Sequence, residues 1–249
     1  MIRRAKPLLG TMVSIAADAP PAALDAAFAA IGRVHECMSA QRADSDIGRI
    51  NREGHLHPVA VDPWTLDVLR LARCMSESTD GAFDIVWPGT GARYADVILA
   101  PGAVRLRRSA KLDVSGIAKG FAVDVAVEML QSHGARRGSI NAGGDLRSFG
   151  PEPAPVAVRV PQGSLPLPVL PYAAYATSSG EFGARLYDPR SGVAAAFEWS
   201  VTVAATTCAI ADALTKAGAL LGPLPRLLRA FDATAFAVDR EGHLHAAAG

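Results

Sequence analysis

The order of helix-like and strand-like segments constrains the fold of this chain more than any other feature of its sequence. Residues 20–39 repeat apolar side chains three and four positions apart, which is the spacing of an amphipathic helix. The repeating residues are Leu24, Ala27, Phe28, Ile31 and Val34. Along the rest of the chain, helical and extended patterns alternate without the regular strand–helix–strand repeat of a doubly wound sheet. The sequence therefore predicts an α+β fold.

Periodicity, turn residues and capping residues predict the other elements. A second helix is predicted at 63–78, where Asp62 can cap it and Pro63 fits its first turn. In the first half of the chain, the remaining predictions are a strand at 8–17, a capped turn at 45–51, a loop at 81–97, a hairpin at 103–115 and a helix at about 117–133. In the second half, they are strands at 138–141 and directly after it, a hairpin connection within 151–171, and strands and turns over 173–192. A strand and a helix are predicted over 200–222, and two short strands over 230–245.

Composition limits the class of protein. The chain has 249 residues, half of them hydrophobic, so we expect a single domain over 1–249 with a substantial core. The net charge of +1 argues against nucleic-acid binding through bulk electrostatics. The three cysteines and six histidines show no zinc, disulfide or triad spacing. The sequence shows no signal peptide, lipid-attachment cysteine or apolar run of membrane-spanning length, so we expect a cytoplasmic protein without membrane insertion.

A glycine turn between Asp113 and Lys119 is the first candidate site. Glycine turns before helices expose backbone N–H groups and a positive dipole end, which suits phosphate, and Lys119 adds a positive charge. The turn has neither P-loop nor dinucleotide-fold spacing. The alternative is a helix N-terminus with a salt bridge on its edge. Two further glycine turns, AGGDL with Asp145 and TSSGE at 177–181, are most simply turns.

Asp212 and Thr215 form a second candidate site in the last predicted helix. They lie on nearly the same face of the helix. A carboxylate, a hydroxyl and a loop carbonyl together are the hard oxygen ligands that Mg²⁺ prefers. The alternative is that Asp212 is an ordinary carboxylate placed favourably near a helix N-terminus.

Several blocks, taken in order, give the chain a family resemblance. They read LLGTMVSI, SAQRADSDIGRIN, GAFD, LDVSGIAKGFAVD, INAGGDL, ATSSG, YDPRSG and SVTVAATTCAIADAL. This order and wording resemble the ApbE family, the FAD:protein FMN transferases, over about residues 8–222. The resemblance implies an ApbE-like α+β fold of two mixed subdomains with a flavin cleft between them. It also implies Mg²⁺-dependent transfer of FMN from FAD to a Thr or Ser hydroxyl of an acceptor flavoprotein, with release of AMP.

The resemblance also implies roles for individual residues. Asp212 and Arg185 would stand at the catalytic positions, and Gly116, through its carbonyl, Asp212 and Thr215 at the metal positions. The residues implied to contact FAD are Met12, Gln41, Ala82, Phe83, Asp84, Asp113, Lys119 and Leu186.

The chain departs from the family pattern around this implied site. Lys216 stands where the family's ADALAT block has a metal-binding threonine, Arg185 replaces the histidine of HIIDPRTG, and Gln41 replaces a tyrosine. The segment between GAFD and GIAKG is also shorter than in the family. Arginine stays protonated and cannot act as a general base, although it can hold phosphate bidentately.

These departures leave alternatives for Lys216 and for the activity. Mg²⁺ can still bind through Asp212, Thr215 and Gly116, or the Lys216 ammonium can take the place of the metal, or Lys216 is an exposed helix lysine. The functions left open are an FMN transferase, a flavin-binding relative that does not transfer FMN, and an FAD pyrophosphatase that requires metal and releases FMN and AMP.

Overall fold

Eight antiparallel strands form the main sheet of the molecule. The structure, a computed structural model, describes residues 1–152, 155–160, 163–168, 170, 173–179, 186–195, 200–222, 224–239 and 241–248. The strands of this sheet, in spatial order, are β1 (Ile2–Leu8), β2 (Thr11–Ala17), β6 (Gly138–Ala142), β7 (Asp145–Phe149), β10 (Ala174–Ser179), β13 (Ser200–Ala205), β14 (Thr234–Val238) and β15 (Leu244–Ala248).

Three long helices pack side by side against this sheet. They are α1 (Pro21–Met38), α4 (Ser115–Ser132) and α5 (Cys208–Leu221). The central helix α4 contacts both α1 and α5 as well as β6 and β7, while α5 covers β10 and β13. The apolar faces of the helices and the sheet bury one continuous core, which fixes α4 and α5 against each other below the sheet.

Smaller elements surround this layer. The remaining helices are α2 (Asp46–Glu53), α3 (Pro63–Ser78) and α6 (Pro225–Ala230), and a 3₁₀ turn spans Tyr94–Asp96. A three-stranded sheet contains β3 (Val59–Ala60), β5 (Ala103–Leu106) and β4 (Val97–Ala100) in that order, and two hairpins pair β8 (Ala157–Val160) with β9 (Gly163–Pro166) and β11 (Leu186–Tyr187) with β12 (Ala194–Ala195).

The predicted first strand, 8–17, is wrong at its start. Leu9 and Gly10 both have positive φ, 55° and 71°, and form the two-residue turn of a hairpin between β1 and β2. The sequence prediction missed β1 because Ile2–Leu8 is an exposed edge strand. Such strands carry charged side chains rather than an alternating apolar pattern.

The predicted hairpin at 103–115 is also wrong in its pairing. Ala103–Leu106 pairs with Val97–Ala100, which precedes it. The KLDVS segment instead lies beside the loop at 85–87, where Leu112 forms an isolated bridge with Val86. The Asn51 side chain completes this arrangement, since its Nδ2 donates to the Leu112 carbonyl and its Oδ1 accepts the Leu112 N–H.

The long helices confirm the periodicity analysis. The α1 helix spans Pro21–Met38, and α3 spans Pro63–Ser78 with the Asp62 carboxylate accepting the Trp64 N–H. The predicted turn at 45–51 is longer than expected, because Ser45 caps a full helix, α2, by accepting the Gly48 N–H. The predicted helix at about 117 begins earlier, at Ser115.

The α+β prediction is confirmed. The hairpin predicted within 151–171 is confirmed too, since β8 pairs with β9 among the described residues. Strands and turns follow in the described parts of 173–192, and two short strands lie close to the predicted 230–245. No helix in the described part of the chain combines the length and the apolar character needed to cross a bilayer.

Helices α4 and α5 approach each other closely at Gly120. A Cβ atom at this position would lie 2.3 Å from the carbonyl oxygen of Cys208, the first residue of α5. Four residues later, the Asp124 carboxylate accepts the N–H groups of Cys208 and Ala209, both at 2.9 Å. Arg147 on β7 pairs with the same carboxylate at 2.6 Å. The start of α5 is therefore held by the backbone and one side chain of α4.

We expect Gly120→Ala to lower the free energy of unfolding by about 2 kcal/mol or more. The new methyl group collides with backbone, so the helices must separate, and overpacking of this kind costs roughly 1–3 kcal/mol. Urea denaturation measures the change.

Gly32→Ala in α1 is the matched control, because a Cβ atom there has no neighbour within 4 Å. This variant should be neutral or gain about 0.5–1 kcal/mol from helix propensity. Equal effects of the two substitutions would contradict the assigned contact between α4 and α5.

Candidate functional site

Two lysines and two aspartates meet where α4, α5 and β7 converge. Lys216 Nζ lies 2.7 Å from Asp212 Oδ1, one helical turn earlier on α5. Lys119 Nζ, from α4, lies 3.1 Å from Asp145 Oδ2, at the start of β7. Both carboxylates are buried, while the two lysine side chains are about one quarter exposed. With all four groups ionised, the cluster has no net charge.

The close contact between α4 and α5 positions this cluster. The Gly120 N–H donates to Asp212 Oδ2 at 3.3 Å, so the residue that allows the helices to approach also holds the carboxylate. Asp145 differs from Asp212. Among the residues that the structure describes, neither of its oxygens accepts a hydrogen bond of normal geometry, and its compensation is the Lys119 charge.

Oxygen atoms surround the Lys216 ammonium. Besides Asp212 Oδ1, it donates to Ser178 Oγ at 2.9 Å and contacts Thr215 Oγ1 at 3.1 Å. The two hydroxyls are 2.8 Å apart, and Thr215 donates to the Asp212 carbonyl. Lys216 is therefore not an exposed helix lysine, which excludes one of its three predicted alternatives.

Burial and neighbouring charge act in opposite directions on the two carboxylates. Burial alone would raise the pKa of Asp212, but Lys216 and Lys119 outweigh it and hold the pKa below its usual range. Burial raises the pKa of Asp145 to about 7; the Asp212 carboxylate adds to the rise, while Lys119 and Lys216 oppose it. Burial lowers the pKa of Lys119, yet Asp145 and Asp212 leave it raised overall.

A cavity of about 280 Å³ opens beside the ammonium group. Its apolar wall contains the rings of Phe83, Trp87 and Tyr187, and the last two rings lie 5.2 Å apart between centroids. Lys216 and Ser178 line the same cavity, as does Gly116 in the first turn of α4. The cavity thus offers aromatic surface for a planar ring next to a fixed positive charge, an arrangement suited to a ring that carries phosphate.

Asp84 organises the loop that forms the wall. Its carboxylate is buried and accepts the N–H groups of Val86, at 2.8 Å, and Tyr94, at 3.0 Å. Arg93 lies 3.4 Å away. Burial raises the pKa of Asp84 against these stabilising contacts. This carboxylate therefore ties together both ends of the loop that presents Phe83 and Trp87.

The structure brings most of the predicted site residues together. The predicted residues that line the cavity are Ala82, Phe83, Asp84, Asp113, Gly116 and Leu186. Asp212 and Thr215 contact Lys216, a lining residue. Lys119 reaches the cluster from the other side, through Asp145.

Other predicted site residues lie apart from the cavity. Met12 and Gln41 are not among its lining residues; the Met12 side chain is exposed, and the exposed Gln41 accepts a hydrogen bond from Ser39. Arg185 lies outside the described residues.

Sequence reasoning missed four residues of the site. Asp145 and Ser178 stand in the glycine-turn blocks AGGDL and TSSGE, which were interpreted as turns. An aspartate directly after the Gly143–Gly144 pair was the available sequence signal for Asp145. Trp87 gave no sequence signal, and Tyr187 stands in the YDPRSG block without an assigned role, because only the fold brings the two segments together.

Comparison with family models and with known proteins shows which proteins this chain resembles. A sequence model of the ApbE family matches residues 9–94 and 89–236. The chain is 28% identical over 144 residues to the FAD:protein FMN transferase of Vibrio cholerae serotype O1, covering 47% of this chain and 43% of that protein. It is 26% identical over 188 residues to the FAD:protein FMN transferase of Treponema pallidum, covering 59% and 51%. The aligned region thus spans about half the length of these relatives.

Similarity to solved structures supports the fold. The flavinyl transferase ApbE of Pseudomonas stutzeri, in its apo form, superposes with a TM-score of 0.85 at 20% identity. The match covers 99% of this chain and 94% of that one. The fold is therefore ApbE-like, as the sequence predicted.

Lys216 lowers the pKa of Asp145, and this effect can be tested by titration. We expect Lys216→Met to raise the apparent pKa of Asp145 above its value of about 7, because the substitution removes a cation that stabilises the ionised carboxylate. Carboxyl ¹³C NMR across a pH series measures this pKa.

The matched control for this titration is Lys6→Met. Lys6 is an exposed lysine paired with Asp25, so its removal should leave the titration of Asp145 unchanged. An Asp145 pKa near the ordinary value of about 3.9, or one that does not respond to Lys216→Met, would contradict the described cluster.

Proposed function

The chain belongs to the ApbE family, and on that premise we propose that it is an FAD:protein FMN transferase. Its substrate would be FAD, and its partner an acceptor flavoprotein that offers a Thr or Ser hydroxyl. The hydroxyl oxygen forms a bond to the phosphorus of the FMN half while the bond from that phosphorus to the bridging oxygen breaks. AMP leaves with the bridging oxygen, and the hydroxyl proton is released to water.

The juxtaposition of the aromatic wall and the Lys216 ammonium in one cavity is the observation that carries this proposal. Trp87 and Tyr187 supply apolar ring surface, while Lys216 supplies positive charge at the same opening. FAD has the matching features, because its planar rings are joined by a pyrophosphate. An adjacent cation stabilises the charge that grows on the departing phosphate.

The remaining roles follow from the position of each residue. In this proposal Ala82, Phe83 and Leu186 contact the flavin, and Asp113 contacts FAD at the opening of α4. Lys119 holds Asp145 and contributes to the positive field of the site. Met12, Gln41 and Arg185 remain predictions from the family resemblance.

The residues predicted to hold Mg²⁺ do not fit that ion as they stand. Magnesium lies about 2.0–2.1 Å from its oxygen ligands. The Lys216 ammonium is already 2.7 Å from Asp212 Oδ1 and 3.1 Å from Thr215 Oγ1. An ion bound to both of these oxygens would collide with it. Magnesium therefore enters no step of the proposed reaction.

A second candidate function is favoured by the same contact. An ammonium group carries charge but no Lewis acidity, so a chain with Lys216 in this position can bind FAD without cleaving it. This flavin-binding relative would use the same cavity and lack only the transfer step.

We expect incubation with FAD and an acceptor-threonine peptide to yield AMP and covalently flavinylated peptide in equal amounts. Chromatography follows AMP and free FMN, and mass spectrometry follows the peptide. Bound but intact FAD would support the flavin-binding candidate, and free FMN with AMP would instead indicate a pyrophosphatase.

Two substitutions test whether the product arises in the described cavity. Trp87→Ala removes an aromatic wall and should weaken FAD binding about tenfold. Leu56→Ala removes an apolar side chain that is 65% exposed and does not line the cavity, and it should leave binding unchanged. Equal affinities of these variants would contradict the assigned site.

A further inference from the structure

We propose that Lys216 is a built-in cation, whose ammonium group takes the place of a divalent metal between Asp212 and Thr215. The pyrophosphate would then be bound by a charge that belongs to the chain itself. The identity of this anion rests on the proposed function, whereas the exclusion of the metal does not.

The contacts of the ammonium group are the first argument. An ammonium has three N–H donors, and Lys216 Nζ has three side-chain oxygens within 3.1 Å. They come from Asp212, Thr215 and, on a neighbouring strand, Ser178. The donors are matched in number by acceptors from two different elements, so the lysine is anchored in place.

The path of the side chain is the second argument. A Cβ atom built on Gly116 would lie 3.5 Å from Lys216 Cγ and 3.6 Å from a ring carbon of Phe83. The stem of Lys216 therefore runs beside the first turn of α4 and the cavity wall. Packing along this path keeps the ammonium in the position where a metal would have to bind.

Charge balance is the third argument. When both carboxylates are ionised, Asp212 and Asp145 carry two negative charges, and Lys119 and Lys216 carry two positive ones. Without Lys216, the cluster with both carboxylates ionised would have an excess negative charge, which a bound cation would balance. With Lys216 in place, a divalent ion would enter a balanced cluster beside an ammonium group, where like charges repel strongly at short range.

A lysine charge would hold the anion differently from a bound metal ion. Lys216 gives charge without exchangeable coordination sites, so we expect FAD to bind independently of divalent metal. FAD affinity should be the same, within about twofold, in EDTA and in Mg²⁺, because no metal contributes to the binding free energy.

The direct test titrates Mn²⁺ against the protein without FAD and follows free Mn²⁺ by electron paramagnetic resonance. The wild type should show no saturable site at this cluster. Lys216→Thr should gain one Mn²⁺ site. It should bind Mn²⁺ at least about a hundredfold more tightly than the wild type does, because a repelling charge has become a neutral oxygen ligand. Asp212→Asn in the Lys216→Thr background should abolish the new site.

Two outcomes would overturn the proposal. One is stoichiometric Mn²⁺ binding by the wild type that Asp212→Asn removes. The other is a folded Lys216→Thr variant, by circular dichroism, that binds no Mn²⁺.

If Lys216→Thr fails to fold, the comparison of wild-type FAD affinity in EDTA and in Mg²⁺ decides. Metal-dependent affinity overturns the proposal, and metal-independent affinity supports it. A chain that binds no FAD at all would remove the proposed function but leave the Mn²⁺ result intact, so the two failures are distinguishable.

Discussion

The contact between helices α4 and α5 is the constraint on which the site depends, and three reciprocal hydrogen bonds hold it. Asp124 on α4 accepts the first N–H groups of α5, and Asp212 on α5 accepts the Gly120 N–H of α4. Each helix thus supplies a buried carboxylate to the backbone of the other. Because a side chain at position 120 would collide with Cys208, this spacing requires glycine. Without it, the functional groups of the two helices would not meet.

The same contact explains how a buried site can hold so many charges. Buried carboxylates are costly unless they are paired or hydrogen-bonded, and here each has a lysine partner. Asp145 remains the weakly compensated member, which is why its pKa lies near 7. The cluster can therefore be stable before any ligand binds, and its one partly exposed cation beside the aromatic wall is Lys216.

The sequence predicted the parts of this structure that local physics decides. The helix periods and the Asp62 and Ser45 caps are properties of short segments, and the structure has them. Strand pairing was predicted less well, because the partners of β5 and of Leu112 are set by tertiary contacts. For the site, the family resemblance pointed to Asp212, Thr215 and residues 82–84, which line the cavity. Asp145 and Ser178 were missed because their roles arise only when distant segments meet. The sequence left several roles open for Lys216. The geometry of its ammonium group favours one of them, in which the ammonium takes the place of the metal.

In the proposed site, the Lys216 ammonium group, rather than a metal ion, occupies the position between Asp212 and Thr215. Anomalous diffraction from crystals grown with FAD and soaked in Mn²⁺ tests it most directly, since manganese is located independently of any assumption about the ligands. We expect no anomalous peak within bonding distance of Asp212, with Lys216 Nζ still contacting Asp212 and Ser178. A manganese peak bonded to Asp212 and Thr215, with the lysine turned away, would contradict it.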